Sequence, residues 1–150
     1  MLKLKSLSAA LLTAALASTP AWAADYAVIV NAANPVAGDN ADTRAMIKRS
    51  YLKEMSAWVN GSETQPLARE AGSAAQQAFH KAVLEMSDAA VDDHWLRLKQ
   101  IKGETPPREV GSARILFRLV GKYEGAFSFV TAEEALEIPP EVKVLFTFSD

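Results

Sequence analysis

The residue types best suited to chemistry fall in one short stretch, Arg69-Glu70-Ala71-Gly72-Ser73-Ala74-Ala75, at the junction of an extended run and the clearest helical pattern in the chain. Arg69 supplies a fork of charge-assisted donors that matches an oxyanion. Gly72 lets backbone and ligand approach closely. Ser73 can donate its hydroxyl or cap the helix. The first-turn N–H groups, around Ala74 to Gln76, have no intrahelical acceptor and aim at the same point. A helix N-terminus flanked by an arginine suits an anion held without covalent chemistry. An equally physical arrangement is that Ser73 only caps, while Arg69 pairs with Glu70 or with solvent.

Other chemistry is scarce. The two histidines, His80 and His94, lie within predicted helices with no metal-ligand spacing, and read as surface or half-buried structural residues. Asp92-Asp93 and Glu133-Glu134 are sequence neighbours that point apart on a helix, and read as solvated charge. No nucleophile elbow, P-loop or dinucleotide-binding glycine pattern occurs. Cysteine is absent, which removes thiol chemistry, disulfides and cysteine-held metals. The expectation is a protein that is not an enzyme and uses no cofactor or metal.

The 150 residues carry 16 basic and 18 acidic side chains, a net charge of −2, with 49% apolar content. This composition fits one globular domain and argues against disorder. A pI near 5.7 argues against a nucleic-acid binder. Residues 1–23 read as a secretory signal peptide. Lys3 and Lys5 precede an apolar run from Leu7 to Ala17, followed by Pro20 and the small-x-small site Ala21-Trp22-Ala23. Cleavage there would leave a domain over 24–150, exported to a periplasm and not inserted in the membrane, with net charge −4 once the two leader lysines are removed from the sixteen basic residues.

The mature chain alternates strands and helices. Tyr26 to Asn31 is a β-branched run ended by an Asn-Pro turn. Met46, Ile47, Tyr51, Leu52 and Met55 recur at helical spacing between Asp42 and Met55. Thr64 to Arg69 reads as a strand that Pro66 confines to an edge. Ala75, Ala78, Phe79, Ala82, Val83 and Met86 form one helical stripe within Gly72 to Met86. Ser87 caps a further helix that buries Val91, Trp95 and Leu98. Gly103 to Gly111 reads as a loop, and Ser112 caps a helix closed near Gly121. Ala126 to Val130 and Val142 to Phe148 read as strands, with a helical turn at Ala132 to Leu136 between them. The order implies an α/β fold, with a partly parallel, mixed sheet flanked by helices.

These segments, in this order, resemble the substrate-binding subunit of phosphate ABC transporters, among the type 2 periplasmic binding proteins. Ala27 to Asn31 with Asn34-Pro35 looks like the family's strand and Asn-Pro turn. Tyr51 to Trp58 with Gly61 looks like its "Ile-Phe-Leu-Gly-Lys-x-x-x-Trp…Gly" stretch, and Arg69 to Phe79 like its "Arg…Gly-Ser-Gly-Thr…Phe" anion loop and helix. Lys102-Gly103 through Pro106-Pro107 to Val110-Gly111-Ser112 is similar to the loop before its next helix. Gly125 to Val130 looks like its "Gly-Ala-Ile-Gly-Tyr-Val". The resemblance covers roughly Tyr26 to Val130 and implies a single binding-protein-like lobe.

It also implies a ligand-binding set of Arg69, Gly72, Ser73, Ala74, Ala75 and Asn34. Arg69 and Ser73 match phosphate-contacting positions, and Gly72 matches the loop glycine. Ala74 and Ala75 replace the family's Gly and Thr. Loss of that hydroxyl costs about 1–3 kcal/mol where a buried phosphate oxygen is left unpaired. The implied function is non-covalent binding of phosphate or a similar oxyanion, linked to ABC transporter membrane subunits. The alternative is a degenerate lobe retained for protein interaction or self-association without a ligand.

Overall fold

A computed structural model describes residues 25–150. The signal-peptide reading of residues 1–23 lies outside the described residues. Among the described residues, no helix is long and apolar enough to cross a membrane.

Five strands form one mixed sheet: β1 (Tyr26–Asn31), β2 (Gln65–Ala68), β3 (Arg108–Glu109), β4 (Ala126–Thr131) and β5 (Val142–Phe148), in the order β3-β2-β4-β1-β5. β2 runs parallel to β3 and β4, whereas β1 pairs antiparallel with both β4 and β5. The carboxyl ends of β2, β3 and β4 therefore open on one edge of the sheet, and that of β1 opens on the opposite edge.

Side-chain alternation along β1 and β4 divides the core in two. Val28, Val30, Phe127 and Phe129 face one layer, with Phe79 and Phe146. That layer is covered by α1 (Ala41–Tyr51), by α2 (Ala74–Phe79) with its π-helical continuation His80–Leu84, and by α3 (Asp88–Lys102). Ala27, Ile29, Ala126 and Val130 face the other, covered by α4 (Ala113–Lys122) through Leu116 and Val120. Each fully buried Leu, Ile, Val or Phe of this kind contributes about 1.5–3 kcal/mol from burial.

The helix starts follow from their caps. Ser73, Ser87 and Ser112 each accept a bond from the N–H three residues on. Gly103, at φ 68°, closes α3 in the left-handed conformation that glycine adopts without strain. α1 ends at Tyr51, earlier than the apolar spacing to Met55 implies, because Lys53 turns left-handed at φ 61°. The Glu54 and Met55 N–H groups then fold back onto the Arg49 carbonyl. Pro66 lies within a strand that has neighbours on both sides, so β2 is not the edge strand expected. The proline is tolerated because two-residue β3 pairs only with Leu67 and Ala68. β3 itself falls inside the stretch read as pure loop.

Candidate functional site

Arg69 follows β2 directly, so it emerges at the carboxyl-end edge of the parallel strands. In open α/β sheets this edge is where ligands gather. Loops and helix starts converge on it: Glu70 to Ser73 ahead of α2, Gly111 and Ser112 ahead of α4, and Thr131 ahead of α5 (Ala132–Ala135). A cleft of about 250 Å³ lies between them, lined by Arg69, Ser73, Ala74, Ala75, Thr131 and Glu134 among others.

The cleft is electrostatically filled from within. Glu134 meets the Arg69 guanidinium with both oxygens, Nη1 to Oε1 at 2.9 Å and Nη2 to Oε2 at 3.1 Å. The same two nitrogens donate to backbone carbonyls, Nη1 to Phe129 at 3.3 Å and Nη2 to Gly111 at 2.9 Å. Of the five N–H donors of the guanidinium, only the one on Nε is left without a partner among the described residues. The Arg69 side chain is 10% exposed and that of Glu134 26%.

Glu134 is fixed by a capping box. Its backbone N–H donates to Thr131 Oγ1 at 3.1 Å, and its Oε1 accepts from the Thr131 N–H at 3.0 Å. Burial pushes the carboxyl pKa up. Hydrogen bonds from Arg69 and Thr131, with the Arg69 charge, outweigh burial and hold it below the usual carboxylate range. Glu134 is therefore an ionised internal anion on Arg69, not the solvated charge expected from its neighbour Glu133. Arg69 pairs with it, and not with Glu70 or solvent.

Ser73, Gly72, Ala74 and Ala75 stand beside this pair. Ser73 Oγ accepts from the Gln76 N–H at 3.3 Å, which is the capping role. The N–H groups of Ala74 and Ala75 have no acceptor among the described residues. Gly72 sits at φ 79° with open space where a Cβ would be. Asn34 is not brought to the site. It lies beyond the carboxyl end of β1, which runs antiparallel to β4, so its turn opens at the far edge. There Asn34 is 3% exposed and its Oδ1 accepts from the Val36 N–H at 2.9 Å.

A second polar arrangement reaches Arg69 from the other side. The Arg69 backbone N–H donates to Gln76 Oε1 at 3.0 Å, which fixes the orientation of the amide. Gln76 Nε2 then donates to Tyr51 Oη at 3.0 Å and to His80 Nε2 at 2.7 Å. His80 must accept there, so its proton sits on Nδ1, 2.7 Å from Asp88 Oδ1. This assigns buried His80 a structural place in a chain of hydrogen-bonded polar groups. His94, half-buried, contacts the Leu52 carbonyl at 2.9 Å. The described residues include no cluster of three or more metal-ligating acids or histidines.

Glu134, Gln76 and Tyr51 were not among the residues the sequence singled out for the site. The spacing Thr131-x-x-Glu134 is a capping-box signature and was available as a signal. Nothing in the sequence marks Arg69 as its partner.

No protein-family model matches the chain, and no curated protein matches it. Solved structures do. An ABC-type phosphate transport receptor from Vibrio cholerae is 20% identical with a TM-score of 0.55, over 81% of this chain and 45% of that one. A putative phosphate ABC transporter substrate-binding protein from Clostridium perfringens, solved with bound phosphate, is 16% identical with a TM-score of 0.59, over 81% and 44%. PstS from Borrelia burgdorferi is 8% identical with a TM-score of 0.59, over 81% and 46%. The fold is thus that of phosphate transporter substrate-binding proteins, and this chain spans under half the length of each.

Proposed function

We propose that this chain is an exported, non-catalytic interaction module built on a solute-binding-protein lobe, with the oxyanion position taken by its own Glu134. The observation that carries this reading is the bidentate Arg69–Glu134 pair. A free phosphate dianion would have to displace a carboxylate that is held by two guanidinium nitrogens and a capping box, or else lie against it. Like charges that close repel strongly where water is scarce. In place of a solute, the carboxyl-end face would be covered by protein, either a partner or a second copy.

Calorimetry of the described domain with inorganic phosphate, wild type against Glu134→Gln, tests the reading. No heat at millimolar phosphate in the wild type supports it, together with gained binding in the variant. Sedimentation supplies the second arm, with concentration-dependent association expected. A strictly monomeric protein that binds phosphate below millimolar, and loses it in Arg69→Lys, would overturn it.

A second reading is favoured by a specific observation. Ser73 and the Ala74 and Ala75 N–H groups still face the cleft beside Arg69. Three donors of that kind could hold phosphate or a related oxyanion weakly, with ABC transporter membrane subunits as the partners. The same titration separates the two.

A further inference from the structure

A recess outside the Arg69 cleft lies between the carboxyl end of β2 and α3. It measures about 530 Å³, within the ~300–1,000 Å³ range of small-molecule sites. One wall is apolar, formed by Leu96, Trp95 and the Pro106-Pro107 pair. Its floor ends on Tyr51, which is 2% exposed.

The hydrogen bonds around Tyr51 leave a donor over. Gln76 Oε1 is occupied by the Arg69 N–H, so Gln76 Nε2 must donate to the phenol oxygen. The phenolic proton then has no acceptor among the described residues. Trp95, 6% exposed and lining the same recess, likewise makes no hydrogen bond through its indole N–H. A buried donor without an acceptor costs free energy, so the Tyr51 hydroxyl, with the open indole N–H of Trp95 beside it, points to a ligand that carries acceptors. Charges of both signs line it: Asp92 and Lys99, two turns apart on one face of α3, and Glu109 on β3, none of them in an ion pair among the described residues.

We propose that this recess binds a free α-amino acid with an apolar side chain. Its carboxylate would accept from Tyr51, Trp95 and Lys99. Its ammonium would meet Asp92 and Glu109, and its side chain would lie on Leu96 and the prolines. The wall supplies burial, and the two charged sets fix orientation. The site uses none of the donors that hold Glu134, so it stands or falls independently of the Arg69 cleft.

The test is an NMR titration of the ¹⁵N-labelled protein with L-phenylalanine, against 3-phenylpropionate and phenethylamine, each lacking one charge. The Trp95 indole signal is expected to shift saturably, with each analogue weaker by at least about tenfold. Tyr51→Phe removes only the hydroxyl, and Lys99→Ala is a surface change that leaves the core intact. Each is expected to weaken phenylalanine binding about fivefold or more, in line with the loss of one hydrogen bond or ionic contact. No shift at about 10 mM ligand, a signature of binding too weak to matter, would overturn the proposal. So would equal affinity for the three compounds, or unchanged affinity in both variants.

Discussion

Glu134 reaches back from the first turn after β4 to close on Arg69, 65 residues earlier in the chain, with its two oxygens on the two terminal nitrogens of the guanidinium. The pair ties β2 to β4 at the edge where an open α/β sheet usually receives a ligand. Its geometry is that of an arginine holding an oxyanion, with the anion supplied by the chain itself.

Removing the carboxylate charge while keeping its shape should expose how much the pair contributes. Glu134→Gln leaves Arg69 partly buried without a counter-charge, and breaking a fully buried pair costs about 3–5 kcal/mol. Glu134 is 26% exposed, so solvent recovers part of that. The expected loss is ~2 kcal/mol, read as a lower urea midpoint with an unchanged slope. An unchanged midpoint would mean that the pair is only a surface contact.

Acid should act through the same group. The folded-state pKa of Glu134 lies below its ordinary value of 4.5. A carboxylate with a depressed pKa adds stability that is fully present above the unfolded value and is lost as pH falls through the folded one. Urea midpoints measured from neutral pH downward should therefore drop below about pH 4.5 more steeply in the wild type than in Glu134→Gln. Parallel curves for the two proteins would count against the assignment.

Much of this was written locally and could be read. Ser73, Ser87 and Ser112 announce their helices by type and position, because a cap is a contact over three residues. The alternation in β1 and β4 gives both core faces. What could not be read depends on strand direction and long-range pairing. Asn34 and Arg69 both follow strands, and only the antiparallel setting of β1 sends them to opposite edges. Glu134 has the capping spacing in plain sight, but its pairing with Arg69 exists only once β2 and β4 are neighbours. β3 escaped notice because a two-residue strand leaves no periodicity.

Alkali should find Tyr51. Burial raises its phenol, against the hydrogen bond from Gln76, from 10.0 to about 12. A raised folded-state pKa gives a contribution that is complete below the unfolded value and lost as pH rises through the folded one. Stability should fall between pH 10.0 and about 12, by at most ~3 kcal/mol at about 1.4 per unit. Tyr51→Phe should flatten that fall while costing ~1 kcal/mol at neutral pH, since Gln76 loses an acceptor. Denaturation midpoints across this range, with phenolate absorbance followed in parallel, supply the check. A variant that unfolds in alkali as the wild type does would refute it.

Two glycines should respond differently to the same change. At Gly125 an added Cβ would collide with the backbone carbonyl of Glu63. That contact cannot relax by rotating a side chain, because the Gly125 carbonyl is pinned by the Gln65 N–H at 2.9 Å and by the Trp58 indole at 3.0 Å. Gly125→Ala should therefore separate β4 from the turn before β2 and cost ~2–3 kcal/mol or more. Gly72 presents the opposite case, with no atom within 4 Å of its missing Cβ but a backbone φ of 79°. Gly72→Ala should suffer only the left-handed strain, about 1 kcal/mol. Urea midpoints of the two variants, measured side by side, should rank Gly125→Ala well below Gly72→Ala. The reverse order would mean that the backbone approach at Glu63 is looser than its geometry indicates, and that the turn at Gly72 is the stiffer of the two.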